Sequence, residues 1–121
     1  MILAAGKGTR LKPLTDRIPK ALVEVGGMPL IMRQLLDLKK YGFNDITVNV
    51  HHFADMLCSY IDENKPEGVD VHISSERERL LNTGGALKKA AGILLADNYP
   101  LPVLVHNVDI LSNIDLDAFF K

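Results

Sequence analysis

Gly6, Gly8, Thr9, Arg10 and Lys20 are residues whose types and spacing could do chemistry together. In Ile2-Leu3-Ala4-Ala5-Gly6-Lys7-Gly8-Thr9-Arg10-Leu11 an apolar run breaks into two glycines, followed by a hydroxyl and an arginine. Pro19-Lys20-Ala21-Leu22 lies just behind. A strand that ends in a glycine-rich turn presents bare backbone N–H groups, a concave nest for phosphate oxygens. Gly6 and Gly8 let the backbone approach a ligand that a Cβ would hold off. The forked guanidinium of Arg10 suits phosphate oxygens, and Lys20 supplies a compact second charge. A Gly-x-Gly pair after a strand also suits a plain tight turn, so specificity lies in the composite. The commoner phosphate loops do not match. A Walker A loop needs its lysine after the second glycine, whereas Lys7 lies between the two. A dinucleotide fingerprint needs a small residue where Leu11 stands, and a helix that Pro13 would cut short.

Two further stretches carry polar groups at useful places. In Val105-His106-Asn107-Val108-Asp109 an aspartate follows an apolar run. At a strand end on the same rim as the glycine turn, its carboxylate could hold Mg²⁺ against phosphate oxygens, or simply close an Asx turn. In Glu78-Arg79-Leu80-Leu81-Asn82-Thr83-Gly84-Gly85-Ala86-Leu87 a polar loop ends in Thr-Gly-Gly at a helix start. Backbone groups there can face a flat base, or the residues can serve only as a cap. His51, His52 and Asp55 form a weaker group, because adjacent histidines at a strand end project to different sides. Lys39, Lys40, Lys88, Lys89, Arg77 and Arg79 read as solvated charges.

The elements that must position these residues follow from periodicity. Residues 1–5 read as a buried strand, 11–20 as an irregular, partly mobile loop, and 21–25 as a short extended piece ended by Gly26-Gly27. Leu30, Ile31, Gln34, Leu35 and Leu38 mark one face of a helix from Pro29 to about Lys40, with Gly42 at its exit. Residues 45–50 alternate as a strand. Phe53, Met56, Leu57, Tyr60 and Ile61 form the next helical stripe. Residues 69–73 make a third strand and 74–82 a surface loop. A helix carrying Leu87, Ala90, Ala91 and Leu94 follows, then a turn over 97–100. Residues 101–106, nearly all apolar, are expected to be a fourth strand buried on both faces, and 115–120 to start another helix. Strands alternating with helices predict an α/β fold with a parallel sheet, whose ligands bind beyond the carboxyl ends of the strands.

Length and composition bound the rest. A chain of 121 residues is one domain with a real core. A net charge of −1 gives no electrostatic footprint for nucleic acid, so an anion site must be local. Apolar runs are too short to span a bilayer, and no basic region precedes a signal-like core; no membrane association is expected. The single cysteine, Cys58, rules out an intrachain disulfide, suits a cytoplasmic location, and reads as a small buried apolar residue on a helix.

Leu-Ala-Ala-Gly-x-Gly-Thr-Arg-Leu over residues 3–11, followed by Pro19-Lys20-Ala21-Leu22 and Gly27-Met28-Pro29-Leu30-Ile31, resembles the signature of the sugar-1-phosphate nucleotidyltransferases. The resemblance covers nearly the whole chain, with the motifs in order. It implies the nucleotide-diphospho-sugar transferase fold, a Rossmann-like three-layer sandwich with a mostly parallel sheet. It implies that the backbone of Leu3, Ala4, Ala5, Gly6, Gly8 and Thr9 holds a nucleoside triphosphate, with Arg10 and Lys20 on its phosphates as the catalytic cations. Asn107 and Asp109 match the ends of the family's Asn-Gly-Asp triplet, whose aspartate binds the metal, here expected to be Mg²⁺. Val108 stands where that triplet has glycine. The Glu78–Leu87 stretch is similar to the family segment that reads base and ribose, which points to Asn82, Thr83 and Gly84. Uridine, guanosine, thymidine and cytidine members differ only subtly, so the base stays open.

The implied activity is transfer of a nucleoside monophosphate to a sugar 1-phosphate with release of pyrophosphate. Family domains continue past the position of Lys121. Residues 1–121 are therefore expected to be the nucleotide-binding part of a truncated domain whose C-terminal acceptor part is absent. Alone, such a part is expected to be inactive and to self-associate through an uncovered edge. The alternative is a non-catalytic regulatory domain of the same fold; keeping Arg10, Lys20 and Asp109 together favours the enzyme.

Overall fold

The structure is a computed structural model that describes residues 1–96 and 102–121. In chain order its strands and helices are β1 (Ile2–Leu3), β2 (Glu24–Val25), β3 (Met28–Pro29), α1 (Leu30–Lys40), β4 (Asp45–Val50), α2 (Ala54–Asn64), β5 (Asp70–Ser75), α3 (Thr83–Leu94), β6 (His106–Asn107) and α4 (Leu116–Phe119). The main sheet runs β5-β4-β1-β6 and every pairing in it is parallel, with Ile2 opposite both Val48 and His106.

Period-2 alternation sorts the sheet's side chains onto two layers. Ile2, Ala4, Ile46, Val48 and Val50 pack with Leu30, Ile31, Leu35 and Leu38 of α1 and with Ala54, Leu57 and Ile61 of α2. Met1 and Leu3 pack with Ala86, Ala90, Leu87 and Leu94 of α3. Helices thus cover both faces, and the expected Rossmann-like three-layer α/β arrangement is observed. Each fully buried aliphatic side chain, such as Ile31 or Leu35, contributes about 1.5–3 kcal/mol. The exit of α1 shows how local sequence ends an element. Gly42 takes φ 79°, its N–H bonds the carbonyl of Lys39, and the N–H of Phe43 bonds that of Leu38, a Schellman cap.

Several expectations need correction. Residues 21–25 are not one extended piece: Lys20–Leu22 is a 3₁₀ turn, and Glu24–Val25 pairs with Met28–Pro29 in a hairpin. Gly26 and Gly27, both at positive φ, form its two-residue turn. The 11–20 loop is irregular as expected but pinned, with Thr15 and Pro19 buried and 3₁₀ turns on either side of Pro13. On α2 the buried face is Ala54, Leu57 and Ile61, whereas Phe53 and Met56 are exposed and Cys58 is half-buried. The third strand runs on to Ser75, and the stretch after it is no plain surface loop, because Glu76 is only 1% exposed. The fourth strand is His106–Asn107, and Val103 and Val105 before it are exposed. A strand at the sheet's edge has one neighbour, so an apolar run there need not be buried on both faces. The turn expected at 97–100, and residue 101, lie outside the described residues. The last helix is present, with the Asp115 carboxylate accepting from the N–H of Ala118 at 3.2 Å.

Candidate functional site

The glycine turn leaves the carboxyl end of β1 and folds over Thr15 and Lys20. Gly8 has φ 63°, and a methyl group built on it would lie 2.7 Å from Cγ2 of Thr15 and 2.9 Å from Cβ of Lys20. No side chain fits there, which is the physical reason for the second glycine. The Thr15 hydroxyl donates to the carbonyl of Gly8 at 2.6 Å, and the N–H of Leu11 bonds the same carbonyl at 2.9 Å. A methyl on Gly6 would meet Nζ of Lys20 at 3.1 Å, so the lysine lies across the face of the turn.

Lys20 joins this turn to the end of β6. Its Nζ is 3.5 Å from Oδ2 of Asp109, and its side chain is only 15% exposed. Sequence spacing does not reveal that the two residues meet; β6 pairing beside β1 brings them together. Val108 lies between Asn107 and Asp109 at 0% exposure in the larger core cluster. Its side chain fills the core, so the replacement of the family glycine leaves the cleft side clear.

A cleft of about 440 Å³ opens at this rim, lined by Leu3, Ala5, Gly6, Lys20, Asn49, Leu80, Leu81, Asn82, Thr83, Ala86 and Asn107. Of the expected residues, Leu3, Ala5, Gly6, Lys20, Asn82, Thr83 and Asn107 line it directly. Ala4 is buried beneath it, and Asp109 borders it through Lys20. Gly8, Thr9 and Arg10 continue the turn beyond the lining, with Thr9 and Arg10 exposed. Asn82 occupies the N-cap position of α3 without a side-chain capping bond, and Asn82 and Thr83 both line the cleft. At Gly84 an added methyl would meet nothing within 4 Å.

Sequence reasoning missed Asn49 and Glu76. Asn49 Oδ1 accepts from the N–H groups of Ala4 (2.6 Å) and Ala5 (3.3 Å), and its amide donates to Oε1 of Glu76 at 2.8 Å. Oε2 of Glu76 accepts from the N–H of Leu81 at 2.9 Å. The carboxylate that anchors the Leu80–Thr83 wall is therefore Glu76, while Glu78 is exposed. A buried carboxylate needs such partners; a polar stretch following a strand gave no signal of burial.

The histidine group separates as its spacing predicts. His51 Nδ1 bonds the carbonyl of Glu76 at 2.6 Å, His52 Nε2 that of Thr15 at 3.2 Å, and Asp55 pairs with Arg77 at 2.6 Å. Arg77 is thus ion-paired rather than merely solvated. Among the described residues no group of three or more His, Cys, Asp or Glu side chains is placed to hold a metal ion. Nor is any helix among them long and apolar enough to cross a membrane.

The family model described as nucleotidyl transferase matches residues 1–121. The chain is 38% identical over 121 residues to the N-acetylmuramate alpha-1-phosphate uridylyltransferase of Neisseria meningitidis serogroup B, covering 100% of this chain and 51% of that one. It is 40% identical over 114 residues to the mannose-1-phosphate guanyltransferase of Debaryomyces hansenii, covering 93% and 31% respectively. HddC from Yersinia pseudotuberculosis, solved in complex with GMP-PN, shares the fold with a TM-score of 0.79 and 31% identity, over 98% of this chain and 51% of that one. The chain spans about half or less of the length of these relatives. Matched along its whole length, the chain belongs to the nucleotidyl transferase family, whose sugar-1-phosphate members its motifs resemble.

Proposed function

We propose that this chain is the nucleotide-binding part of an enzyme that transfers a nucleoside monophosphate from a nucleoside triphosphate to a sugar 1-phosphate, releasing pyrophosphate. The supporting observation is the cleft that sets the Gly6 turn and Lys20 against the start of α3 at Asn82 and Thr83, with Asn107 at its side. The acceptor phosphate oxygen attacks the α-phosphorus in line, and the bond to the bridging oxygen breaks as pyrophosphate departs. Catalysis of such a step is positioning and charge neutralisation. In this reading the backbone of Leu3, Ala4, Ala5, Gly6, Gly8 and Thr9 holds the phosphates and sugar. Arg10 and Lys20 neutralise the triphosphate and the leaving group, and Asn82, Thr83, Gly84 and Asn107 face base and ribose.

Mg²⁺ fits this donor set in one way. Asp109 is a single carboxylate on the rim, 3.5 Å from Lys20, and Mg²⁺ is commonly held by one or two carboxylates plus the substrate's own phosphates. Asp109 would hold the ion jointly with the nucleotide, where it would add positive charge to the phosphates. The acceptor pocket belongs to the remainder of the enzyme, so residues 1–121 alone give no transfer. The reaction, its triphosphate donor and the lone thiol suit the cytoplasm.

Calorimetric titration tests the reading. A nucleoside triphosphate with Mg²⁺ is expected to bind, and Arg10→Ala to weaken it by about tenfold or more, the worth of one charge-assisted hydrogen bond. Equal affinity for the triphosphate and the bare nucleoside would overturn the phosphate assignment.

A further inference from the structure

Asn49 and Glu76 form a buried polar connection to which the proposed reaction assigns no role. The β1 ladder ends at Leu3, so the N–H groups of Ala4 and Ala5 have no strand to bond. Asn49 Oδ1 takes both. Its amide donates to Glu76, whose other oxygen takes the N–H of Leu81. Two backbone contacts hold Glu76 itself: its N–H bonds the carbonyl of Val50 at 2.7 Å, and its carbonyl meets Nδ1 of His51 at 2.6 Å. The path runs from the glycine turn to the Leu80–Thr83 wall through two side chains exposed by 3% and 1%, and one of them lines the cleft. A glutamate suits the second place for a chemical reason: a carboxylate accepts at both oxygens, and both of its neighbours here are donors.

We propose that Asn49 and Glu76 are positioning residues that hold the two walls of the cleft at a fixed separation. A nucleotide whose phosphates rest on the glycine turn then meets the opposite wall at Leu80–Thr83. The proposal rests on the nucleotide reading above. It assigns the pair no contact with the reacting atoms; the residues act through the backbone of Ala4, Ala5 and Leu81.

Donor and acceptor exchange provides the test. In Glu76→Gln a single acceptor oxygen faces two donors, and either Leu81 or Asn49 loses its partner. The double variant Asn49→Asp/Glu76→Gln restores the pattern: the new carboxylate accepts from Ala4, Ala5 and the new amide, whose oxygen accepts from Leu81. Dissociation constants are measured for a nucleoside triphosphate with Mg²⁺ and for inorganic tripolyphosphate, which touches only the glycine-turn side. Amide exchange at Ala4, Ala5 and Leu81 is followed in the ligand-free chain.

Glu76→Gln is expected to weaken nucleoside triphosphate binding about tenfold, leave tripolyphosphate binding little changed, and speed exchange at Leu81 or at Ala4 and Ala5, whichever side loses its partner. The double variant should recover both properties. Equal weakening of both ligands would mean general loss of structure and would overturn the proposal, as would a double variant no better than Glu76→Gln. Unchanged exchange at all three amides in Glu76→Gln overturns it whether or not a nucleotide binds. A wild-type chain that shows the coupled exchange yet binds no nucleotide overturns the nucleotide reading instead.

Discussion

Replacing Gly8 with alanine should damage the turn far more than the same change at Gly84, and the difference can be worked out in advance. Gly8 sits at φ 63°, where a side chain costs about 1–2 kcal/mol. Its methyl would come 2.7 Å from Thr15 Cγ2 and 2.9 Å from Lys20 Cβ. Thr15 is buried and hydrogen-bonded to the Gly8 carbonyl, so it cannot swing aside freely. Relieving such overlap costs about 1–3 kcal/mol. The sum, about 2–5 kcal/mol, is a large share of the roughly 5–15 kcal/mol that stabilises a domain. At roughly 4 °C per kcal/mol for a chain of this size, the melting midpoint should fall by roughly 8–20 °C. At Gly84, inside α3, the added methyl meets nothing within 4 Å, and alanine favours helix over glycine by about 0.5–1 kcal/mol. Gly84→Ala should melt at or above wild type and, on the proposed placing of the nucleotide over Gly84, weaken nucleotide binding. Circular dichroism melts and nucleotide titrations of both variants make the comparison. A Gly8→Ala protein that melts with wild type would refute the packing of the turn against Thr15.

Asp109→Asn removes the charge facing Lys20. Because that aspartate is 43% exposed, stability should change by less than about 1 kcal/mol, whereas the Mg²⁺ dependence of nucleotide binding should largely vanish; titrations at rising Mg²⁺ check this. Burial pushes the Cys58 thiol above its ordinary value of 9.0, with the Arg77 guanidinium pulling the other way. The folded state therefore holds this proton more tightly than the unfolded one. The stabilisation is full below pH 9 and is lost as pH rises through the raised value. Alkylation at pH 8, followed by mass spectrometry, should be slower than for an unfolded control, and Cys58→Ser should lessen the alkaline loss of stability. After β6, which among the described residues pairs with β1 alone, Ile110, Leu111, Ile114, Phe119 and Phe120 are exposed, Phe119 by 68%. Sedimentation should show self-association that Phe119→Glu reduces; a monomer at all concentrations would count against an uncovered face.

Local chemistry was legible in the chain alone. The glycine turn, the Gly42 exit and the apolar stripe of α1 depend on neighbours within a few residues, so type and spacing reveal them. The motifs likewise assembled the cleft in outline, from Gly6 and Lys20 on one side to Asn82 and Thr83 on the other. What the chain did not show depends on pairing over distance. Glu76 sits in a polar stretch, and only the parallel pairing of β5 with β4 brings it to Asn49, 27 residues away, where burial becomes affordable. Phe53 falls out of the apolar stripe because it precedes α2 as its N-cap at φ 51°, and docking of α2 on the sheet buries Ala54 with Leu57 and Ile61 while Met56 stays exposed. The apolar stretch before His106 predicts a doubly buried strand, yet the edge strand is only His106–Asn107 and Val103 and Val105 before it are exposed. Nothing in the spacing of Lys20 and Asp109 brings them together; the pairing of β6 beside β1 does. Residue type sets what a side chain can bond, and the tertiary fold decides which partners arrive and whether water is excluded when they do.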